Sequence, residues 1–328
     1  MMLKSILIIL ILICICGYVW ASEWKSTELC MINWEGDGYT LFSKKALNNS
    51  GTPEITSDDY IQTPRGPQIA IVDMSENIIV SSDELRQLVG FDSTGELIFN
   101  FSYKASGYRP DITKFVPRNI YVDTLSRLYI QTSPAMDYMP VVNYNYEIQG
   151  KIQPFPGDPH AQIWSFNWAP DGALFFRNPL YGWVTYVDGE SRFGGSSDFR
   201  ASDGCFYDLF RTGNNAVTID RSLNPDRYGK PAKNTQTDIN IRAGIIVFAK
   251  LLAGGDGNFL YILLNLDSDN HYEIRQYDLK YRLVDKLVLP DEPAYEDWRI
   301  DPFVRRDGNI YVFRTRKDGM RVVRWSKQ

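Results

Sequence analysis

Histidine is scarce in this chain of 328 residues, which contains only His160 and His271, and neither lies in a motif spaced for metal binding. The sequence also lacks a G-x-S-x-G nucleophile elbow, a P-loop and a dinucleotide-binding fingerprint. The segment Gly254–Gly257 is rich in glycine, but its position between two apolar runs is typical of a hairpin turn. These absences favour a non-enzymatic protein and predict neither a metal site nor a cofactor.

An excess of basic residues is also missing. The 35 Lys and Arg residues against 40 Asp and Glu residues give a net charge of −5 and a pI near 5.2. The basic residues are scattered along the chain and form no basic arm. The sequence therefore predicts no nucleic-acid partner and no general attraction to an anionic membrane.

Cysteine is rare, and two of the four cysteines, Cys14 and Cys16, lie in an N-terminal apolar run. The other two, Cys30 and Cys205, can form one disulfide or remain as thiols. A chain able to bury a large core does not need a disulfide for stability, so we expect two buried thiols.

The N-terminus has the features of a signal peptide. Lys4 precedes an almost unbroken apolar run, Ile6–Val19, and Val19-Trp20-Ala21 resembles a cleavage site before Ser22. The sequence predicts removal of residues 1–21 and export to the periplasm or the cell exterior, with no stable membrane span afterwards. The alternative is an uncleaved anchor formed by residues 3–21, because about 18 apolar residues can cross a bilayer.

The chain is instead rich in short β-branched and aromatic runs separated by small polar residues. The stretch from Ile69 to Phe101 has the pattern of four strands joined by tight turns, and the turn that precedes the second strand recurs along the chain. The strands that follow this turn are predicted to begin at Ile78, Leu128, Ala173, Ala216, Phe259 and Ile310. Their spacings of 50, 45, 43, 43 and 51 residues are typical of propeller blades.

The repeat predicts an all-β, six-bladed β-propeller with four-stranded antiparallel blades in residues 67–328. Residues 22–66 are predicted to be a lead-in, with two strands around Glu35–Gly38 and then a polar loop. The last unit supplies only about three strands, which would leave an open sheet edge. We therefore expect Leu29–Trp34 to complete the last blade and close the ring.

The repeat resembles the NHL-type family of six-bladed propellers. The resemblance lies in an aliphatic-Val-Asp, turn and aliphatic-strand pattern, from Ile71 to Val80 and from Tyr121 to Ile130, and in Phe91 to Gly95. Pro170-Asp171-Gly172 is also similar to repeats of periplasmic propellers of the translocation type. The resemblance covers about Pro67 to Lys327 and implies the architecture rather than an activity, since propellers include lactonases, lyases, quinoproteins and plain binding modules.

A candidate binding surface lies where the predicted second strands end, opposite the hairpin turns. Arg177, Arg221 and Arg314 follow three of these strands, and loops on that side add aromatic residues and both histidines. Arginine and aromatic residues are enriched in binding surfaces. The predicted ligand-binding set is Arg109, His160, Arg177, Trp183, Arg221, His271, Trp298 and Arg314.

We expect a monomeric binding module whose partner is a protein or a small anionic ligand. The alternative is a lactonase-like hydrolase or lyase with a site in the central channel. The resemblance to propeller lactonases directs attention to Asp73, Asp123 and Asn167 at the inner strand ends. For Asp73 and Asp123 we favour a structural role, in which each carboxylate accepts hydrogen bonds from its own hairpin turn.

Overall fold

All regular structure in the described part of the chain is β-sheet. The computed structural model describes residues 23–37, 39–41, 66–82, 87–102, 116–133, 136–145, 147–155, 157–194, 199–223, 226, 230, 237–242, 245–252, 254–266, 271–290 and 300–328. Six four-stranded antiparallel sheets form a propeller, which confirms the predicted fold class. Across these residues we find no helix with the length and apolar character needed to span a membrane.

The strands follow one another in blade order. The described part of the chain begins with β1 (Trp24–Asn33) and a short ribbon of β2 (Glu35–Gly36) and β3 (Tyr39–Thr40). Blade 1 contains β4 (Ile69–Val72), β5 (Ile78–Ser82), β6 (Gln87–Phe91) and β7 (Leu97–Ser102). Blade 2 contains β8 (Val116–Val122), β9 (Leu128–Ser133), β10 (Met139–Val142) and β11 (Ile148–Ile152). Blade 3 contains β12 (Ser165–Trp168), β13 (Leu174–Asn178), β14 (Gly182–Val187) and β15 (Glu190–Phe193).

The second half of the ring continues this arrangement. Blade 4 contains β16 (Phe199–Arg200), β17 (Phe206–Arg211), β18 (Ala216–Ser222) and β19 (Thr237–Arg242). Blade 5 contains β20 (Ile246–Leu252), β21 (Phe259–Leu266), β22 (His271–Asp278) and β23 (Leu283–Val288). Blade 6 contains β24 (Phe303–Val304), β25 (Ile310–Thr315) and β26 (Gly319–Lys327), with β1 as its fourth strand.

The first strand of the chain closes the ring, as predicted. β1 pairs antiparallel with β26, from Trp24 opposite Lys327 to Asn33 opposite Gly319. The indole of Trp34 then donates a hydrogen bond to the carbonyl oxygen of Arg316 at 2.6 Å. The pairing covers the edge that β26 would otherwise expose, and it ties the N-terminal part of the chain to the C-terminal part.

The blades give the ring two distinct faces. We call the side that carries the hairpin turns between the first and second strands of the blades the turn face. The opposite side, which carries the loops between second and third strands and the links between blades, is the loop face. At the same place in each of the six hairpins one residue has a positive φ: Glu76, Ser126, Gly172, Gly204, Gly257 and Gly308. This shared left-handed position confirms the repeat at the level of backbone geometry.

Blade 4 is where the predicted repeat was wrong. Its hairpin runs from Ala201 to Cys205, and its second strand is β17. The predicted turn at Thr212–Asn215 instead joins the second strand to the third, and β18, which begins at Ala216, is the third strand. Both segments contain glycine or asparagine and a following apolar run, so local turn chemistry does not distinguish them. The polar region after Ser222 contributes a fourth strand, β19, rather than only a loop.

Six hydrophobic clusters fill the seams between neighbouring blades, one cluster for each seam. The cluster between blades 6 and 1 includes Cys30, and the cluster between blades 4 and 5 includes Cys205. Both cysteines are buried and unpaired, as expected. The seam between blades 3 and 4 holds the smallest cluster found in the described residues: Ala169, Ala173, Phe175, Trp183 and Phe206.

Candidate functional site

The centre of the ring contains two cavities stacked along the propeller axis. The cavity on the loop-face side has a volume of about 690 Å³, and the cavity on the turn-face side has a volume of about 420 Å³. Trp168 and Phe303 line both cavities, so these two rings mark the boundary between them. We call the two spaces the loop-face vestibule and the turn-face vestibule.

The loop-face vestibule is lined by the inner strands of several blades. Its polar lining residues are Gln68, Asn119, Gln131, Ser165, Asn167, Lys250 and Asp301. Its aromatic lining residues are Trp164, Phe166, Trp168 and Phe303. A concave space of this size, with aromatic walls and a few polar groups, is typical of small-molecule pockets.

Trp164 presents a large ring from a fixed backbone position. Its backbone N–H donates to the carbonyl oxygen of Arg177 at 2.8 Å, and its own carbonyl oxygen accepts from Gln131 Nε2 at 3.0 Å. The residue nevertheless remains 57% exposed. The backbone of Trp164 is therefore held on both sides while its side chain is available for contact with a ligand.

Two amide side chains of blade 2 position the inner strand of blade 3. Asn119 Nδ2 donates to the carbonyl oxygen of Phe166 at 3.0 Å, beside the bond from Gln131 to Trp164. Gln131 is only 7% exposed. Its Oε1 accepts no hydrogen bond from the described part of the chain, so half of this buried amide retains its bonding capacity.

The charged lining of the loop-face vestibule is balanced. Lys250 of blade 5 and Asp301, which precedes blade 6, form an ion pair with Nζ and Oδ2 2.5 Å apart. They are the charged side chains among the described residues that line this space. The vestibule therefore combines neutral amide and hydroxyl groups with one internally compensated pair.

The turn-face vestibule has a different chemistry, because two of its four lining aspartates, Asp73 and Asp123, are engaged by the fold. Asp73 Oδ1 accepts from the backbone N–H groups of Ser75 and Asn77, both at 2.8 Å. Asp73 Oδ2 accepts from Asn77 Nδ2 and from the hydroxyl of Tyr144, which lies on the next blade. Burial and the bond to Asp73 together raise the pKa of Tyr144 well above its usual range. The structural role expected for Asp73 is confirmed.

Asp123 occupies the corresponding position in blade 2. Its carboxylate accepts from the backbone N–H groups of Leu125 and Arg127 at 2.9 Å, from Arg127 Nε at 2.7 Å and from the Tyr129 hydroxyl at 3.1 Å. Burial and the nearby charge of Asp123 raise the pKa of Tyr129 to about 12. Asp123 therefore also serves its own turn, as expected.

A third network joins blades 6 and 1 on the turn face. The buried Arg305 donates from Nη1 to the carbonyl oxygen of Asp73 at 3.2 Å and from its other nitrogens to Asp307. Glu76 accepts from the Tyr311 hydroxyl at 3.1 Å and from Arg324 Nη1 at 2.6 Å. The bonds to Asp73 and Glu76 cross the seam between blades 6 and 1 and hold these blades together.

The predicted binding residues separate into three groups. Arg177, Arg314, His160 and His271 lie at the loop face as predicted, although none of them is among the described residues that line the vestibule. The side chain of His160 is 89% exposed, with Nδ1 3.7 Å from Asp137 Oδ2. Arg109 and Trp298 lie outside the described residues. The binding roles of these six residues stay predictions.

The predicted position of Arg221 is wrong. Arg221 lies near the end of the third strand of blade 4, which runs back toward the turn face. There Nη2 pairs with Asp203 Oδ2 at 2.9 Å, and Nε donates to the Tyr207 hydroxyl at 3.1 Å. The displacement follows from the misplaced turn at Thr212–Asn215, because strand direction alternates from one strand to the next.

The predicted position of Trp183 in a loop at the binding mouth is also wrong. Trp183 lies in β14, is only 5% exposed and belongs to the seam between blades 3 and 4. The guanidinium carbon of Arg177 sits 5.9 Å from the centre of its ring. Trp183 is a core residue because its side chain faces the neighbouring blade.

No group of three or more His, Cys, Asp or Glu side chains suited to a metal ion occurs in the part of the chain that the structure describes. The lining residues that sequence reasoning missed are Trp164, Gln131, Asn119 and Lys250. Their common signal is a polar or aromatic residue within or beside the strands of blades 2, 3 and 5. These residues can be recognised from the sequence only after the strands of the blades have been aligned with one another, starting from their hairpin turns.

Several solved structures are similar to this chain, each with a TM-score below 0.5. No protein-family model matches the chain, and no curated protein sequence matches it. Regucalcin, a calcium-binding protein from Agrobacterium tumefaciens, is 11% identical, with a TM-score of 0.45 over 80% of this chain and 91% of that chain. A catalytically inactive virginiamycin B lyase from Staphylococcus aureus is 10% identical, with a TM-score of 0.42 over 93% of this chain and 100% of that chain.

A member of the DUF4221 family from Bacteroides vulgatus is likewise 10% identical, with a TM-score of 0.45 over 94% of this chain and 97% of that chain. At this level of identity the likeness concerns the propeller fold alone. The chain is a six-bladed β-propeller protein. What it binds or converts has to be argued from its own site.

Proposed function

We propose that this protein is an exported binding module that takes a small polar ligand into the loop-face vestibule. The observation that carries the proposal is the exposed ring of Trp164, whose backbone is held by hydrogen bonds and which lines a cavity of about 690 Å³. Rigid aromatic surface lowers the entropic cost of binding, and the adjacent amides provide directed hydrogen bonds. The arginines and histidines of the loop face lie on the same side of the ring, outside the lining of the vestibule, where they could contact a larger ligand.

The test is a small-molecule screen by ligand-observed NMR with wild-type protein and Trp164→Ala. Because Trp164 is exposed, its replacement leaves the fold intact, and we expect ligands of the wild-type protein to be lost by the variant. Phe193→Ala is the matched control, because Phe193 is 53% exposed on β15, the outer strand of blade 3. Ligands that bind all three proteins equally would contradict the proposed site.

A hydrolase or lyase acting in the central channel is the alternative function. One of the similar structures is a virginiamycin B lyase, but lyase activity is a property of that protein. The NMR screen also separates the two functions. A ligand whose signals remain unchanged during prolonged incubation supports binding alone, whereas conversion into new signals that stops in Trp164→Ala supports catalysis.

Export is part of the proposal and is supported by Lys4, the apolar run Ile6–Val19 and the Val19-Trp20-Ala21 sequence. We expect the mature protein to begin at Ser22 and to be a monomer. Intact-mass measurement and size-exclusion chromatography of exported protein check both points. A mass that retains residues 1–21 would favour the anchored form.

We also infer that the chain is related to the NHL-type propellers. Support comes from the aliphatic-Val-Asp turns of blades 1 and 2, in which Asp73 and Asp123 make equivalent hydrogen bonds to the backbone two and four residues further on. Profiles built from propeller repeats of each type, aligned on these turns, test the relationship. Better agreement with another propeller type would contradict it.

A further inference from the structure

We propose that the ligand of the loop-face vestibule is an uncharged, polyhydroxylated molecule of the carbohydrate class. This inference rests on the proposed function and specifies its ligand. Three properties of the vestibule carry it: balanced charge, neutral groups that both donate and accept hydrogen bonds, and an exposed tryptophan ring. The proposal replaces the expectation of a small anionic ligand for this site.

The charges of the vestibule favour a neutral ligand. Lys250 is its one described cationic lining residue, and Asp301 already holds the ammonium group at 2.5 Å. An anion that bound Lys250 would compete with this carboxylate and would be repelled by it. A hydroxyl group can instead donate to Asp301 or accept from Lys250 while the ion pair stays in place.

The hydrogen-bonding groups of the vestibule match hydroxyl groups. Asn, Gln and Ser side chains each offer both donors and acceptors, as a sugar hydroxyl does. Gln131 is one such group. Its Nε2 donates to the carbonyl oxygen of Trp164, which fixes the amide, and its Oε1 has no described donor. A ligand hydroxyl can therefore donate to Oε1 while Nε2 keeps its bond to Trp164.

The exposed ring of Trp164 provides the apolar half of the match. A pyranose has a C–H face as well as a hydroxyl rim, and an indole ring attracts such polarised C–H groups through its negative face. Gln131 Nε2 donates to the backbone carbonyl oxygen of Trp164, so the amide and the residue that carries the stacking surface are neighbours. A sugar ring can use both at once, whereas a purely apolar ligand would leave the amides without partners.

The turn-face vestibule lacks these properties and serves as an internal comparison. Two of its four lining carboxylates, Asp73 and Asp123, are surrounded by donors from the protein. A hydroxyl group entering there would have to displace bonds that stabilise the fold. We therefore expect one carbohydrate site, located on the loop face.

The experiment is a glycan-binding assay with immobilised neutral mono- to tetrasaccharides and their uronic-acid counterparts. Hits are confirmed in solution by saturation-transfer NMR and calorimetric titration. We expect neutral glycans to bind the wild-type protein, with about tenfold weaker binding for Trp164→Ala and unchanged binding for Phe193→Ala. Lys250→Gln removes one donor that a ligand hydroxyl can use, so it should weaken neutral-glycan binding by about threefold and create no preference for uronic acids; the melting temperature of each variant reports on folding.

Each alternative outcome has a defined meaning. Tighter binding of uronic acids that is lost in Lys250→Gln would overturn the neutral ligand class and leave the proposed function standing. A non-carbohydrate ligand from the small-molecule screen that requires Trp164, with no glycan bound, would have the same meaning. Absence of any Trp164-dependent ligand in both the glycan assay and the screen would overturn both proposals.

Discussion

The two faces of the ring use their polar groups in different ways. On the turn face, the carboxylates of Asp73, Asp123 and Asp203 accept hydrogen bonds from their own turns and from neighbouring tyrosine or arginine side chains. On the loop face, Trp164 stays exposed and Gln131 keeps an acceptor atom without a described donor. Groups saturated within the fold have little capacity left for a ligand, so the difference favours stabilisation on the turn face and binding on the loop face.

The two faces also differ in how they use arginine, as shown by two arginines that the sequence analysis predicted at one binding surface. Arg221 on the turn face bridges Asp203 and Tyr207, and these bonds raise the pKa of Arg221 further above its usual range. Arg177 on the loop face is exposed and lies over the ring of Trp183. The direction of the strand that carries an arginine therefore decides whether it serves the fold or faces solvent.

Both faces depend on ring closure, so removal of the closing strand should have the largest effect. Deletion of residues 23–34 removes Cys30, Ile32 and Trp34 from the seam between blades 6 and 1 and exposes the edge of β26. We expect a loss of about 5 kcal/mol or more of unfolding free energy, with aggregation. Thermal melting and size-exclusion chromatography measure both effects.

The control for this deletion is removal of residues 1–22 alone, which leaves β1 in place. This shorter deletion should melt like the mature protein. A protein lacking residues 23–34 that remained monomeric with unchanged melting would contradict the importance of closure.

The inner turns, which join the first and second strands of a blade, should contribute more to the free energy of unfolding than the outer turns, which join the third and fourth strands. Asp73→Ala leaves two backbone N–H groups, Asn77 Nδ2 and the Tyr144 hydroxyl without their acceptor, and we expect a loss of about 3 kcal/mol. Asp92→Ala is the matched control, because Asp92 caps the outer turn of blade 1 through Thr94 and Glu96 at an exposed position. There we expect a loss of about 1 kcal/mol.

Chemical denaturation of these two variants measures the difference directly. Equal losses for Asp73→Ala and Asp92→Ala would mean that the bond from Tyr144 across the seam adds nothing. The comparison between inner and outer turns would then fail.

The two arginines provide a smaller and sharper test of the faces. Arg221→Ala removes bonds to Asp203 and Tyr207 at a site about one-third exposed, so we expect a loss of about 1 kcal/mol. Arg177→Ala should change the unfolding free energy by less than about 0.5 kcal/mol, because its guanidinium is exposed. Denaturant titration measures the unfolding free energy of both variants. A larger loss for Arg177→Ala than for Arg221→Ala would contradict a structural role for the turn-face arginine alone.

The smallest effect concerns the pH dependence of stability. Burial alone would raise the pKa of Asp203, but bonds from Cys205 N–H, Arg221 and Tyr207 outweigh it and hold that pKa below the ordinary value of 3.8. The stabilisation is therefore complete above about pH 4 and is lost as the pH falls through the lowered folded-state pKa. Asp203→Asn should be less stable than wild type at pH 7, by about 1 kcal/mol or less, and the gap should narrow below pH 4.

Denaturation curves recorded between neutral and acidic pH test this prediction. A gap that stays constant across the whole pH range would show that Asp203 contributes through packing or neutral hydrogen bonding, and that its charge has no part in the difference.

The repeat was predictable because its chemistry is local. A turn of a few residues needs a positive φ at one position, and glycine, or a tolerated residue such as Glu76, meets that need in each blade. Closure by the first strand was also predictable, because an unpaired edge beside β26 has a known physical cost. Blade 4 was misread because Ala201–Cys205 and Thr212–Asn215 both have turn chemistry, and only pairing with the two-residue strand β16 identifies the first as the hairpin.

The sequence by itself determined the strand-and-turn pattern of five blades, the number of blades and the strand that closes the ring, since each depends on interactions over a few residues or on one exposed edge. Only the tertiary structure decided which side chains meet in the loop-face vestibule. Gln131, Trp164 and Lys250 come from blades 2 and 5 and the link into blade 3, far apart along the chain, and no local pattern connects them. They share one cavity because the six seams pack and the ring closes, and this depends on the shape and burial of side chains from every blade.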